Sequence, residues 1–113
     1  MSEREVRIAH TEALFRDVNE RIADSAERFD ADEAIFVCEC ADQACAERVG
    51  ATLEEYEQVR AHGDRFLLRR GHEDTSVERV VAQPRPRVAV VKKFNNVVAR
   101  TVRRLDPRTQ PAA

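Results

Sequence analysis

The sequence predicts an α+β domain with a long N-terminal helix, a second short helix, and a small, mostly antiparallel sheet ending in a C-terminal hairpin. Three observations predict it. Apolar residues recur at helical spacing through the first quarter of the chain. A Thr-x-x-Glu capping box opens a second helix at Thr52. Short β-branched runs separated by turn residues fill the stretch from Arg65 to Phe94.

The first helix is expected over residues 3–29. Ile8, Phe15, Val18, Ile22, Ala26 and Phe29 follow one another at steps that line up on one helical face, and Glu3 and Glu5 sit where the helix dipole favours anions. At about 1.5 Å per residue such a helix runs roughly 40 Å, so part of its apolar stripe should overhang a core of this size. An overhang of that kind is a candidate seam for a second copy of the chain. Asp30, Asp32 and Glu33 end the helix, and Ala34 to Cys38 reads as a short buried strand. The box Thr52-Leu53-Glu54-Glu55 opens a helix of about ten residues, with Leu53, Tyr56 and Val59 inward and Gly63 placed to end it in a left-handed conformation. Arg65 to Arg69 reads as a strand. Val77 to Ala82 and Arg87 to Phe94 flank Pro84-Arg85-Pro86 and read as a hairpin, with proline kept out of the ladder. Val97, Val98, Val102 and Leu105 mark a short basic helix. Residues 1–105 should form one domain, and the tail 106–113 should be disordered.

At 113 residues the chain has room for a single domain with a thin core, since five Phe and one Tyr are its only aromatics. No run approaches the roughly 18 consecutive apolar residues of a membrane helix, and the charged start MSEREVRIAH lacks a signal peptide's apolar run. A cytoplasmic location is therefore expected, where thiols stay reduced. The net charge of −2 conceals an asymmetry. Residues 1–64 hold 17 acidic and 7 basic side chains, whereas residues 65–113 hold 4 and 12. The simplest account is that the halves fold together and neutralise one another. The sharper one is a basic face for nucleic acid, using Arg85, Arg87, Lys92, Lys93, Arg100, Arg103 and Arg104.

All three cysteines fall within eight residues, as Cys38-Glu39-Cys40 and Cys45. Thiolates in a reducing compartment select zinc or an iron–sulfur cluster, and three thiolates with one histidine form a standard tetrahedral zinc set. The Cys-x-Cys step lets two sulfurs point to one side at the end of a strand, and the gap to Cys45 suits a tight return. His72 is the first choice for fourth ligand, because it follows a strand and Gly71 frees the backbone to turn inward. His62 is the second, although a cation near a helix C-terminus explains it equally well. Asp42, Glu73 or water remain alternatives, and His10 lies on the first helix away from any loop. Such an ion would be structural. A thiol redox switch is the rival reading of the same cluster, without the usual Cys-x-x-Cys pair.

No glycine-rich phosphate loop, nucleophile elbow or zinc-deaminase pattern is present, so an enzyme is not expected. Phe36-Val37-Cys38-Glu39-Cys40 with Cys45, Thr52 to Glu57, Gly71-His72-Glu73 and the opening Glu12 to Ile22 resemble a family of small uncharacterised actinobacterial proteins. The resemblance runs from about residue 12 to residue 93 and implies that the three cysteines pair with the downstream Gly-His-Glu. It implies no activity, and the basic Arg85-Pro86-Arg87 departs from it. The expected function is that of a zinc-stapled binding module whose partner is another protein, with a homodimer through the first helix as one form. A nucleic-acid regulator and a redox sensor are the alternatives.

Overall fold

The computed structural model of the chain describes residues 2–108. Its elements run α1 (Glu3–Arg28), β1 (Glu33–Val37), β2 (Arg48–Thr52), α2 (Leu53–Arg60), β3 (Arg65–Arg69), β4 (Glu78–Arg85), β5 (Val88–Lys93) and α3 (Asn96–Arg104). The α+β expectation holds. The strands, however, form two antiparallel sheets, a β1–β2 pair and a three-stranded sheet in the order β3-β5-β4. The strand β2 was not foreseen. Arg48-Val49-Gly50-Ala51-Thr52 has too little alternation to read as a strand, and it becomes one because Val37↔Arg48 to Glu33↔Thr52 pair in register across a hairpin.

The predicted capping box at Thr52 is in place, and a second one at Ser2 was not foreseen. Ser2 caps α1 and Thr52 caps α2, each in a full box with the glutamate three residues on. Asn95 caps α3 by accepting from the amides of Val97 and Val98. After α1 the chain turns at Asp30, which takes a positive φ of 57°. Gly63 does not do the same at the end of α2, contrary to expectation. Its φ is not positive, and its smallness serves a close approach instead: a Cβ there would meet Asp106 Oδ2 at 3.2 Å and Arg103 Cγ at 3.3 Å. Pro84 lies inside β4 rather than in the turn. It is accommodated because β4 is an edge strand whose register against β5 shifts between Ala82 and Arg85.

The apolar core joins Phe36, Val49 and Tyr56 with Phe66, Leu67, Leu68, Val91, Val98 and Val102. Phe36 and Tyr56 stack with centroids 4.5 Å apart. The face that α1 turns to this core is not the predicted stripe. Its buried spine is Ile8, Glu12, Arg16, Asn19 and Ala23, whereas Val18 and Phe29 are exposed and Phe15, Ile22 and Ala26 are half-buried. The apolar stripe lies about a quarter of a turn away, at the flank of the buried face. The polar spine is possible because each member meets a partner. Lys93 sits between Glu12 and Glu78; Arg16 donates to the carbonyls of Gly63 (2.8 Å) and Val102 (2.6 Å); Asn19 bridges Val37 and Glu39. Arg16 and Lys93 also lie over the Phe66 ring.

The tail expected from residue 106 begins with residues that pack. Asp106 is buried against Arg60, and Arg108 bridges Glu20 and Glu57; residues 109–113 lie outside the described residues. Among the described residues, no helix is long and apolar enough to cross a membrane.

Candidate metal centre

The ten residues between β1 and β2 form the hairpin loop that carries all three cysteines. Strand alternation continues past Val37, sending Cys38 and Cys40 to one side and Glu39 to the other. Glu39 is accordingly fully buried in the polar spine, where its carboxylate accepts from the Leu67 amide and from Asn19, both at 2.8 Å. A turn at Asp42 brings the chain back. Its carbonyl accepts from the Cys45 amide at 3.0 Å and its carboxylate from the Ala44 amide at 2.9 Å. The loop closes where the Cys38 amide donates to the Glu47 carbonyl at 3.1 Å.

His72 reaches the same place from the other sheet. Beyond β3 the His72 amide donates to the Arg69 carbonyl at 3.0 Å, closing a tight turn in which Gly71 has φ +92°. A side chain at Gly71 would meet nothing within 4 Å, so the requirement for glycine there is conformational. The donor atoms of Cys38, Cys40, Cys45 and His72 all lie within 4.8 Å of one another. His72 Nδ1 stands 3.6 Å from Cys38 Sγ and 3.5 Å from Cys45 Sγ. Cys38 and Cys40 are buried, while the Cys45 side of the cluster is open to solvent. The cluster could therefore hold a metal ion, and it is made of the four residues that the sequence singles out.

The other candidates are elsewhere or engaged. His62 is exposed after α2, and His10 is exposed on α1. Asp42 is spent on its own turn, and the Glu73 carboxylate accepts from the Gly71 amide at 2.9 Å. Glu39 and Asp42 would be expected to add negative charge beside the cysteines, with Arg48 or Arg70 to offset it, and the charge is arranged otherwise. Glu39 points away into the interior, and Arg69, rather than Arg48 or Arg70, supplies a compensating ion pair, with Glu47 at 3.1 Å. Arg69 contributes a second contact that sequence alone gives no hint of, a backbone amide donated to Cys38 Sγ at 3.2 Å.

Without an ion the thiols divide their protons unequally. Cys40 is pulled down to about 5, chiefly by its hydrogen bond with the Cys38 thiol and further by the backbone of Asp42. That same bond, with burial, holds Cys38 far above the usual thiol range, and burial raises Cys45. One thiolate is thus ready to take the first metal contact, and a cation would draw off the remaining protons.

The basic residues set out for nucleic acid do not form one surface. Lys93 is fully buried between two glutamates, Arg85 pairs with Glu55 at 3.0 Å and Arg103 with Asp64 at 2.6 Å. The chain matches no family model, no curated protein and no solved structure.

Proposed function

We propose that the chain is a zinc protein in which Cys38, Cys40, Cys45 and His72 hold one structural ion, and that it acts as a binding module. What carries this reading is the spacing of unlike donors. A tetrahedral ion with bonds of about 2.3 Å to sulfur and about 2.0–2.1 Å to nitrogen separates the two by roughly 3.5–3.6 Å. The two Cys-to-His72 distances are 3.6 and 3.5 Å. The widest donor separation is 4.8 Å. It exceeds the sulfur–sulfur edge of such a tetrahedron by about 1 Å, which a side-chain rotation closes. Three thiolates, a neutral imidazole and a divalent cation leave a charge of −1, which the Arg69 amide on Cys38 helps to disperse. A complete protein ligand set leaves no open position for substrate, which favours an architectural role over catalysis.

Elemental analysis of natively purified protein, with a thiol count before and after chelation, tests the reading. One zinc per chain and three thiols masked until chelation are expected. Metal-free protein with three reactive thiols would replace this reading with a thiol redox site. Cys40→Ser should cost at least about 4 kcal/mol of stability, because it removes a ligand rather than a surface contact. His72→Ala should weaken zinc binding by about 100-fold or more, whereas His62→Ala should leave it unchanged; competition with a chromogenic chelator reads both.

A further inference from the structure

Register places three cations side by side on one face of the three-stranded sheet. Arg65 on β3 and Arg79 on β4 are both direct partners of Lys92 on the central strand β5. Directly opposed residues in antiparallel strands share a face with their Cβ atoms about 5 Å apart, and like charges placed so repel. None of the three side chains forms an ion pair or a hydrogen bond among the described residues, and the Arg65 Nε atom is buried without a partner. Arg69, Arg85, Lys93, Arg103 and Arg108 of the basic half are each matched to a carboxylate, and what sets Arg65, Lys92 and Arg79 apart from its other cations is that register aligns them in one row. Beside Arg65 on the same face, Leu67 and Val90 floor a cavity of about 120 Å³ that Val59 and Gln58 of α2 and Pro84 wall. That is slightly below the size of an apolar cavity that admits one aromatic ring, about 150 Å³.

We propose that this face binds single-stranded nucleic acid, with the Arg65–Lys92–Arg79 row against the phosphates and a base resting over the mouth of the cavity beside Arg65. Unbalanced cations in register want anions at a matching pitch, and two arginine forks favour phosphate oxygens. The cavity supplies the flat apolar contact that a nucleobase offers and a carboxylate-rich peptide does not, with the exposed Gln58 amide at its edge for hydrogen bonding. Among the described residues the only carboxylate lining the cavity is Glu55, which is neutralised by Arg85 at 3.0 Å and accepts from the Thr52 amide. The site lies on residues other than the metal ligands and does not depend on the zinc reading.

Fluorescence anisotropy of a labelled oligothymidylate of about fifteen nucleotides, titrated with the full chain over a range of salt concentrations, tests it. Three phosphate contacts predict a log–log salt slope of about −2 for a single strand, and Lys92→Gln should reduce it by about 0.7. Lys92→Gln and Arg79→Gln should each weaken binding about tenfold or more, while Arg100→Gln and Arg104→Gln on α3 should not. Both sheet variants should melt no lower than the parent, since each relieves repulsion, so lost binding is not lost folding. Absence of salt-sensitive binding overturns the proposal. So does an equal loss from the α3 variants, which would mean diffuse attraction, or equal competition by polyglutamate, which would assign the face to acidic peptides.

Discussion

At the scale of single residues, the unusual feature is how many ionisable groups α1 takes into the interior. Glu12, Glu39, Glu78 and Lys93 are all buried to within 2 % of full burial. Burial first, and then the charge of Glu78, raises the Glu12 carboxyl to about 8 against the pull of Lys93. At neutral pH the Glu12 carboxyl therefore stays largely protonated. Because the folded value lies above the unfolded one near 4.5, this group's contribution is fully present below pH 4.5 and is lost as pH rises through about 8. Glu12→Gln should abolish that loss. Urea unfolding of parent and variant at pH 5, 7 and 9 should show their stability difference moving in the variant's favour with pH, by comparison within each pH so that metal release cancels. Lys93→Met, in contrast, strands a buried carboxylate and should cost about 3–5 kcal/mol. None of this was legible in the sequence. Glu12 and Arg16 read as surface residues of an amphipathic helix because periodicity ranks residues by polarity, and here each polar group is satisfied by a partner distant in sequence. The metal ligands were legible because their evidence is chemical and local: three cysteines in eight residues, and a histidine after a glycine.

Among the elements, α1 shows how a correct boundary can accompany a misread face. Its limits were expected at 3–29 and are found at Glu3–Arg28, since capping and dipole signals are local. The interior face depends on what packs against it, and no local signal specifies that. Leu14, Val18, Ile22, Ala26 and Phe29 form a row whose ends are the most open, with Leu14 63 % and Phe29 83 % accessible and Ile22 and Ala26 half-buried between them. Such a row suits the antiparallel approach of a second α1, as the sequence periodicity suggested. It is narrow beside the roughly 800 Å² per partner of a standard interface, so association in the micromolar range is the expected strength. Sedimentation velocity from micromolar to millimolar concentration should show reversible dimers, and Leu14→Glu with Val18→Glu should return the chain to monomers. A parent that sediments as a monomer throughout would leave the row a solvated surface. The strand β2 and the role of Gly63 were hidden for the same reason as the α1 face. One is made by its pairing with β1, the other by the approach of Arg103 and Asp106 from the end of the chain.

Across the whole molecule, the acidic and basic halves of the sequence largely neutralise each other through ion pairs that span them, among them Arg69–Glu47, Arg85–Glu55, Arg108–Glu57 and Arg103–Asp64. The two sheets share no strand ladder. They meet along β3, where the Glu39 amide donates to the Leu67 carbonyl at 2.9 Å and the Arg69 amide to Cys38 Sγ at 3.2 Å. The candidate metal centre lies at this junction, drawing three ligands from the hairpin loop of one sheet and one from the turn after β3 in the other. A closed ion there would clamp the sheets where few backbone bonds do so. The clamp matters because a thin core leaves little reserve. Its loss should therefore be felt unevenly. The β4–β5 hairpin and the α1–α3 contact do not pass through the centre, whereas residues 38–47 and 70–73 carry its four candidate ligands. Hydrogen exchange before and after chelation reads this directly. Those two segments and the β1–β2 pair should lose protection first and by the largest factor, with β5 remaining protected at chelator levels that already free the loop. Uniform loss of protection would mean that the ion supports folding as a whole instead of joining two otherwise stable parts. No change in the loop would mean that the cysteines do not hold it.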